Sequence, residues 1–407
     1  MRTAYKYTVL IASIAAYYLV AGEAALMLVV LAAVVYLSSI RISKLVVALN
    51  VIMQGMGFIA LKYVFADKGV GLPIGYSVFA FSAIAYLVDT LKSGKKNNIL
   101  NVFCFLFFFP KMLAGPLIRY DFFVKQIDNS RMPSKEQAYT AFKIIIHASF
   151  CKFVVADVLC HFGADGNGSG INLLMQVLLF AIEIYMDFLA YSNYAIAFAM
   201  LLGISLPVNF NRPYAASSFR EFWRRWNITL SEWLRDYVYI PLGGNRGKRK
   251  IGKDVNTMIT FLVSAVWHGA TIPFLFWGLA HGSLVCLERR FINKLISPVL
   301  KRIYAVAVFV IAAFLWQAFR LKDTVAITDF LMCLTTSAPI SLALVKVTAV
   351  TFLLMYALDS QKMTAIVFTT EQGRGFIVRE VALMCAMICV MILFTSNPSL
   401  NFFYFRF

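Results

Sequence analysis

The sequence is poor in charge. Only 14% of its 407 residues are Asp, Glu, Lys or Arg, against about a quarter in soluble domains. With 61% hydrophobic residues, that shortage excludes an ordinary soluble globule and points to a polytopic membrane protein. Histidine is scarcer still, four in the chain, so each one is worth locating. The seven cysteines (Cys104, Cys151, Cys160, Cys286, Cys333, Cys385, Cys389) stand singly, mostly inside apolar runs. Their spacing matches neither a zinc site nor a disulfide framework, so core packing is their expected role and no metal is expected. Strands alternating at period two are missing, which argues against a transmembrane barrel. Low-complexity tracts, long linkers and a visible internal repeat are missing too. Chemistry must then be built from loops and half-buried helices of a single membrane domain over residues 1–407.

Long apolar runs are what the chain has in abundance. A bilayer core takes about 20 mostly apolar residues per helix. Runs near 7–21, 23–40, 45–66, 72–92, 98–118, 140–160, 171–206, 255–287, 303–319, 326–358 and 378–397 qualify or nearly so. Two of them, 171–206 and 326–358, are long enough for two helices each. The expectation is an all-α polytopic integral membrane protein with about ten to twelve membrane helices, some of them short and re-entrant. The basic, then apolar N-terminus shows no small-residue cleavage site and reads as a retained first span. The net charge of +18 is gathered at 41–44, 92–96, 246–253 and 289–302, each just beyond an apolar run. That is the signature of cytoplasmic loops, and no nucleic-acid partner is expected.

One polar interruption, 207–253, holds the stretch SFREFWRRWNITLSEWLRDYVYIPLGGNRGKRK from Ser218 to Lys250. Ser218 with Glu221 three residues on is a capping-box pattern. From there Phe219, Phe222, Trp223, Trp226, Leu230, Trp233, Leu234 and Tyr237 form one helical stripe. Arg220, Arg224, Asn227, Ser231 and Arg235 form its neighbour. The spacing predicts one amphipathic helix along the cytoplasmic interface, aromatic side down, with its arginine stems reaching water. Two readings stay open: an anchor whose arginines meet lipid phosphates, or a surface on which Asn227 and its flanking arginines face a cavity for an anionic ligand. The basic turn that follows lacks the spacing of a Walker loop.

A second stretch, Thr257 to Arg290, places His268 and His281 in apolar surroundings. Ionisable residues at membrane depth usually face a bundle interior or a wet cavity. As one straight helix, 255–287 would run about 50 Å, too long for a ~30 Å core. Both flanks are basic, and Gly269 and Pro273 fall between. The consistent form is a hairpin of two short helices, with His268 near its apex roughly 20 Å from the cytoplasmic edge. Glu183, Asp187 and Tyr191, spaced four apart, give a third apolar run one polar face, through either a structural network or a role in catalysis.

Taken together, these stretches resemble the membrane-bound O-acyltransferase (MBOAT) family, in its bacterial polysaccharide O-acetyltransferase branch. FREFWRRWNITLSEWLRDYVYIPLGGNR resembles that branch's arginine- and tryptophan-rich motif, and VWHGATIPFLFWGLAHG its Trp-His-Gly segment. LPIGYSVFAFSAIAYLVD, FFFPKMLAGPLIRY and YMDFLAYSNYAIAFAMLLGISLPVNFNRPY resemble the earlier landmarks in the same order. The resemblance runs from about residue 60 to 290.

The resemblance implies an MBOAT fold and transfer of an acyl group, acetyl first, from a cytoplasmic thioester toward hydroxyls of an extracytoplasmic polysaccharide. It makes His268 the catalytic histidine and puts Asn227 at the second motif position, where alginate-type members usually carry His. Asn227 cannot be a base, but its amide suits donation to a thioester carbonyl. Arg220, Arg224 and Arg235, with Trp226 and Ser231, would bind the donor, and Trp267, His281, Glu183, Asp187 and Tyr191 would line the cavity. Acetyl-CoA would be a substrate, with no cofactor bound permanently. The implied partners are membrane lipid, the polysaccharide and an exported acyltransferase, at the bacterial inner membrane. D-alanyl transfer to teichoic acid from a carrier-protein thioester is the alternative within the family. A transporter or flippase is the alternative from another class, and it would call for internal repeats.

Overall fold

A computed structural model describes residues 2–64, 73–112, 115–129, 132–163, 168–245, 250–269, 271–291, 297–321, 323–369 and 374–394. Residues 246–249 of the basic turn and 395–397 of the last apolar run fall outside the described residues. The described chain contains helices and no strand. It divides into two compact units: Met1–Ala141 with Tyr194–Pro207, and Phe142–Asn193 with Val208–Phe407.

The first unit is built from α1 (Arg2–Ala21), α2 (Ala24–Ile40), α3 (Lys44–Ile59), α4 (Tyr76–Ser93), α5 (Ile99–Phe107), α6 (Phe109–Met112) and α7 (Tyr120–Asn129). Side-chain oxygens start two of these helices. Ser43 accepts from the Val46 N–H at 3.2 Å and Asn98 from the Leu100 N–H at 2.8 Å, satisfying donors that a helix leaves open at its first turn. The expected span 98–118 is interrupted at Phe108 (φ −56°, ψ 100°), because Pro110 has no N–H for the Leu106 carbonyl and its ring would clash there, so α5 stops at Phe107. Lys111 is fully buried beside the break. It donates to Ser82 Oγ at 3.0 Å, and its ammonium sits 3.6 Å from the Phe105 ring centre. Lys6 of α1 pairs with Asp128 of α7.

Two helices pass from one unit to the other, α8 (Lys135–Phe150) and α10 (Ile171–Leu201). Between them lies α9 (Asp157–Gly163), continuous with α8 through a π-helical turn at Cys151–Ala156. The run 171–206 yields one helix of 31 residues, because no Gly or Pro interrupts it before Leu201. The second unit continues with α11 (Phe219–Arg225), α12 (Ile228–Leu234), α13 (Lys250–His268), α14 (Ile272–Phe291), α15 (Pro298–Leu315), α16 (Thr324–Thr335), α17 (Leu342–Leu358), α18 (Gln361–Phe368) and α19 (Arg374–Phe394). The run 326–358 does split in two, into α16 and α17, with Pro339 between them.

Among the described residues, five helices are long and apolar enough to cross a membrane, or six if the bent pair α17 and α18 counts as one. The other apolar runs of the expected ten to twelve form helices that are shorter, such as α2 and α16, or that carry charge at their ends, such as α13 and α14. Buried ion pairs tie the second unit together. Lys143 of α8 meets Glu380 of α19 at 2.6 Å and donates to the Ile366 and Thr369 carbonyls. Lys152 bridges Asp187 of α10 at 2.8 Å and Asp157 at 2.7 Å.

Candidate active site

The amphipathic stretch begins as its sequence suggests. Ser218 Oγ accepts from the Glu221 N–H at 3.0 Å. Glu221 reaches one residue further back than a capping box requires, accepting from the Ser217 N–H at 2.7 Å and from its hydroxyl at 2.6 Å. A guanidinium N–H of Arg225 donates to the other Glu221 oxygen at 2.6 Å. Burial alone would raise the Glu221 pKa, but the bonds from Ser217 and Arg225 hold the carboxyl below its ordinary value. Glu288 of α14, itself buried, accepts from the N–H groups of Phe219 at 2.7 Å and Arg220 at 3.0 Å and from the Tyr304 hydroxyl at 2.9 Å. The start of α11 is thereby fixed to α14.

The single helix expected over 218–237 is not formed. It breaks at Trp226–Asn227 into α11 and α12, and Asn227 adopts φ 41°, ψ 58°. The loop ahead of α11 pairs with the break: the Asn211 N–H donates to the Arg225 carbonyl and the Ile228 N–H to the Asn209 carbonyl, both at 2.9 Å. A hydrogen bond from the Thr229 hydroxyl to Asn209 Oδ1 at 2.6 Å closes the junction. The aromatic stripe also corrects the expectation that it faces lipid. Phe219, Phe222, Trp226, Leu230, Trp233 and Leu234 are buried in the protein. Trp226 packs on Trp316 at 4.5 Å and on Phe210 at 5.2 Å between ring centres.

The hairpin is formed, with α13 ending at His268 and α14 beginning at Ile272. Its two arms meet closely because Gly278 and Gly282 face α13. A Cβ on Gly278 would lie 2.7 Å from Ala265 Cβ, and one on Gly282 2.8 Å from Met258 Sδ. Half-buried His268 is ringed by aromatic side chains, with ring centres at 4.3 Å for Trp267, 5.0 Å for Phe319, 5.2 Å for Trp277 and 6.2 Å for Phe274. His281 is fully buried one step further along. Its ring centre lies 5.2 Å from that of Trp277, and its Nδ1 accepts from the Trp223 indole N–H at 3.3 Å.

A cavity of about 190 Å³ opens between these elements. Arg220 and Trp223 of α11, Ser231 and Arg235 on and after α12, Thr257, Thr260 and Ser264 of α13, and Arg289 of α14 are among its lining residues. A second cavity, about 400 Å³, shares Arg220, Tyr239 and Arg289 with the first and adds Asn245 and Lys253. Arg289 is held in place by Asp254 at 3.1 Å and by Thr257 Oγ1 at 2.8 Å, and Arg235 pairs with Asp236 at 2.7 Å. Neither Arg220 nor Lys253 has an ion pair among the described residues, which leaves the mouth net positive. Thr257, Thr260, Ser264 and His268 follow one another at steps of three, four and four on α13. They make one polar stripe leading from the basic cavity to the histidine at the hairpin's end.

Of the residues expected to bind the donor, Arg220, Ser231 and Arg235 line the first cavity. Exposed Arg224 and buried Trp226 and Asn227 do not appear in its lining. His268 sits at the end of the stripe, with Trp267 against it and His281 behind Trp277. Glu183, Asp187 and Tyr191 are buried on α10, outside that lining, and Asp187 serves the Lys152 ion network. Sequence reasoning missed Arg289 and Lys253, which lay in the basic flanks read as topology, and Glu288, the acidic residue just before the second flank. It also missed Thr257, Thr260 and Ser264, whose spacing from His268 was there to be seen.

The family model described as MBOAT, membrane-bound O-acyltransferase family, matches residues 14–328. The probable alginate O-acetylase AlgI of Pseudomonas aeruginosa is 33% identical over 258 residues, which is 62% of this chain and 49% of that protein. A peptidoglycan O-acetyltransferase of Helicobacter pylori is 33% identical over 253 residues, covering 54% of this chain and 48% of that one. A teichoic acid D-alanyltransferase of Streptococcus thermophilus is 28% identical over 244 residues, covering 54% and 58%. The chain spans about half the length of the curated relatives it matches.

Proposed function

We propose that this chain, a multi-pass membrane protein that belongs to the membrane-bound O-acyltransferase family, moves a short acyl group from a thioester donor at the cytoplasmic face to hydroxyls of an extracytoplasmic polysaccharide. The observation that carries the reading is the stripe Thr257, Thr260, Ser264, His268, which joins a net-positive cavity to a histidine at the far end of α13. By helical rise that end is about 27 Å from Lys250, comparable to a bilayer core. The donor's charged part would stay at the mouth while its thioester reaches the histidine.

Arg220, Arg289 and Lys253 supply the cations that a phosphate-bearing donor such as acetyl-CoA needs. His268 takes the proton of the acceptor hydroxyl as its oxygen attacks the thioester carbonyl carbon. The new C–O bond forms, the C–S bond breaks as the tetrahedral intermediate collapses, and the imidazolium returns the proton to the departing thiolate. The ring of Trp267, Phe274, Trp277 and Phe319 around His268 limits the space for the acyl chain and favours acetyl. The acceptor is the polysaccharide itself or an exported acyltransferase that carries the group onward, at the bacterial inner membrane. The relatives named as acetylases of alginate and peptidoglycan support this choice over D-alanyl transfer.

The test uses membranes holding wild type or His268→Ala at matched expression, supplied with acetyl-labelled acetyl-CoA, and counts label moved to glycan or protein. Transfer by wild type that His268→Ala abolishes supports the reading. Equal transfer by both removes His268 from the chemistry. Transfer only from a carrier-bound D-alanyl thioester overturns the donor assignment.

A further inference from the structure

We infer that Asn227 serves the donor site through its backbone: its left-handed conformation folds α11 against α12 and thereby forms the cavity. The activity readout of this inference rests on the acyl-transfer reading above; its structural readout does not.

Three observations carry it. First, Asn227 is one of only two non-glycine residues at positive φ among the described residues. Its φ 41°, ψ 58° is a conformation that Asn adopts more readily than other side-chain-bearing residues. Second, it stands at the N-cap of α12, where an Asn side chain usually accepts from the first turn, yet it makes no such capping bond. Its side chain is buried and is not among those lining the cavity. Third, the cavity takes its walls from both sides of the break: Arg220 and Trp223 precede it, and Leu230, Ser231, Leu234, Arg235 and Tyr239 follow it. In a continuous helix, Arg220 and Arg235 would be about 22 Å apart along the axis, and no single cup would hold both. The hydrogen bonds from Asn211 and Ile228 clamp the carbonyls and N–H groups on either side of Asn227, so the turn belongs to the packed structure.

A side chain at this position is therefore judged by whether it tolerates positive φ. Glycine does so at no steric cost, alanine at a modest one, and a β-branched residue hardly at all. An amide that bonded the substrate would order the variants differently, since glycine lacks it as surely as valine does.

The experiment compares full-length wild type, Asn227→Gly, Asn227→Ala and Asn227→Val in detergent, by thermal unfolding and by acetyl transfer from acetyl-CoA. The unfolding order expected is glycine about equal to wild type, then alanine, then valine. In transfer, the glycine variant stays within about threefold of wild type, whereas the valine variant raises the donor KM roughly tenfold with a smaller change in kcat. A glycine variant that unfolds like wild type but loses transfer as fully as valine would overturn the inference in favour of the amide. A valine variant matching wild type in both measurements would overturn it too. If valine does not fold, alanine and glycine decide between the two orders. If wild type transfers no acetyl group, it is the acyl-transfer reading that has failed. The unfolding order then decides the backbone claim by itself, and any order other than the one given overturns it.

Discussion

The imidazole of His268 stands edge-on to the indole of Trp277, with ring centres 5.2 Å apart and planes at 81°. Trp277 is fully buried and also touches Trp223, His281 and Phe319. It is the side chain that links the catalytic candidate to the cavity wall. Truncation to alanine is expected to cost about 3–5 kcal/mol of stability, in line with other buried aromatics. Trp277→Phe should keep most of that stability while lowering kcat roughly tenfold to a hundredfold, through misplacement of His268, with little change in donor KM. Thermal unfolding and steady-state kinetics on the two variants check both halves.

Arg220 and Arg289 are expected to act on donor binding. Each change to glutamine should raise the donor KM by about tenfold, as loss of a charge-assisted hydrogen bond does, and leave kcat at saturating donor nearly unchanged. Arg224→Gln should have a smaller effect than either, because Arg224 does not line the cavity. Added salt should raise the wild-type KM more steeply than that of the double variant Arg220→Gln, Arg289→Gln.

The buried pair of Lys143 and Glu380 yields a stability prediction independent of chemistry. Glu380→Ala leaves an ammonium buried without its carboxylate, 0% exposed in the present packing, and should cost about 3–5 kcal/mol. Replacing both partners, as Lys143→Met with Glu380→Leu, should recover a good part of that loss. Thermal unfolding in detergent measures it.

Glu221 predicts a pH dependence with a definite sign. Its folded-state pKa lies below its unfolded value. The stability it contributes is fully present above the unfolded value and is lost as pH falls through the folded one. Wild type should therefore lose unfolding temperature as pH falls from about 5 to 3, through and below an ordinary glutamate at about 4.3, more steeply than Glu221→Gln. Parallel unfolding curves across that range would remove Glu221 from the account of how α11 is held.

The hairpin of α13 and α14 was legible in the chain's own pattern. A run too long for one bilayer crossing, with basic residues at both ends and Gly269 and Pro273 between, leaves few other arrangements. Ser218 was legible as a helix start for the same reason, since an N-cap is decided by neighbours in the chain. The break at Asn227 was not. The apolar spacing from Phe219 to Tyr237 runs through it without a gap, and the bonds that hold it open come from Asn209 and Asn211. Nor could local pattern place Arg289 beside Arg220, because 68 residues separate Arg220 from Glu288, the side chain that joins their helices.

What the sequence determined by itself was whatever depends on composition and short-range spacing: a helical membrane protein, the ends of several helices, and His268 at the turn of a helical hairpin. Folding alone decided which way each polar face looks. The aromatic stripe turned inward, because Trp316, Phe210 and Tyr185 offered it a packed surface. The face carrying Glu183 and Asp187 went to an ion network, because Lys152 met Asp187 there. Hydrophobic burial has no direction of its own, and the partner that satisfies a charge or fills a groove is known only once distant segments have met.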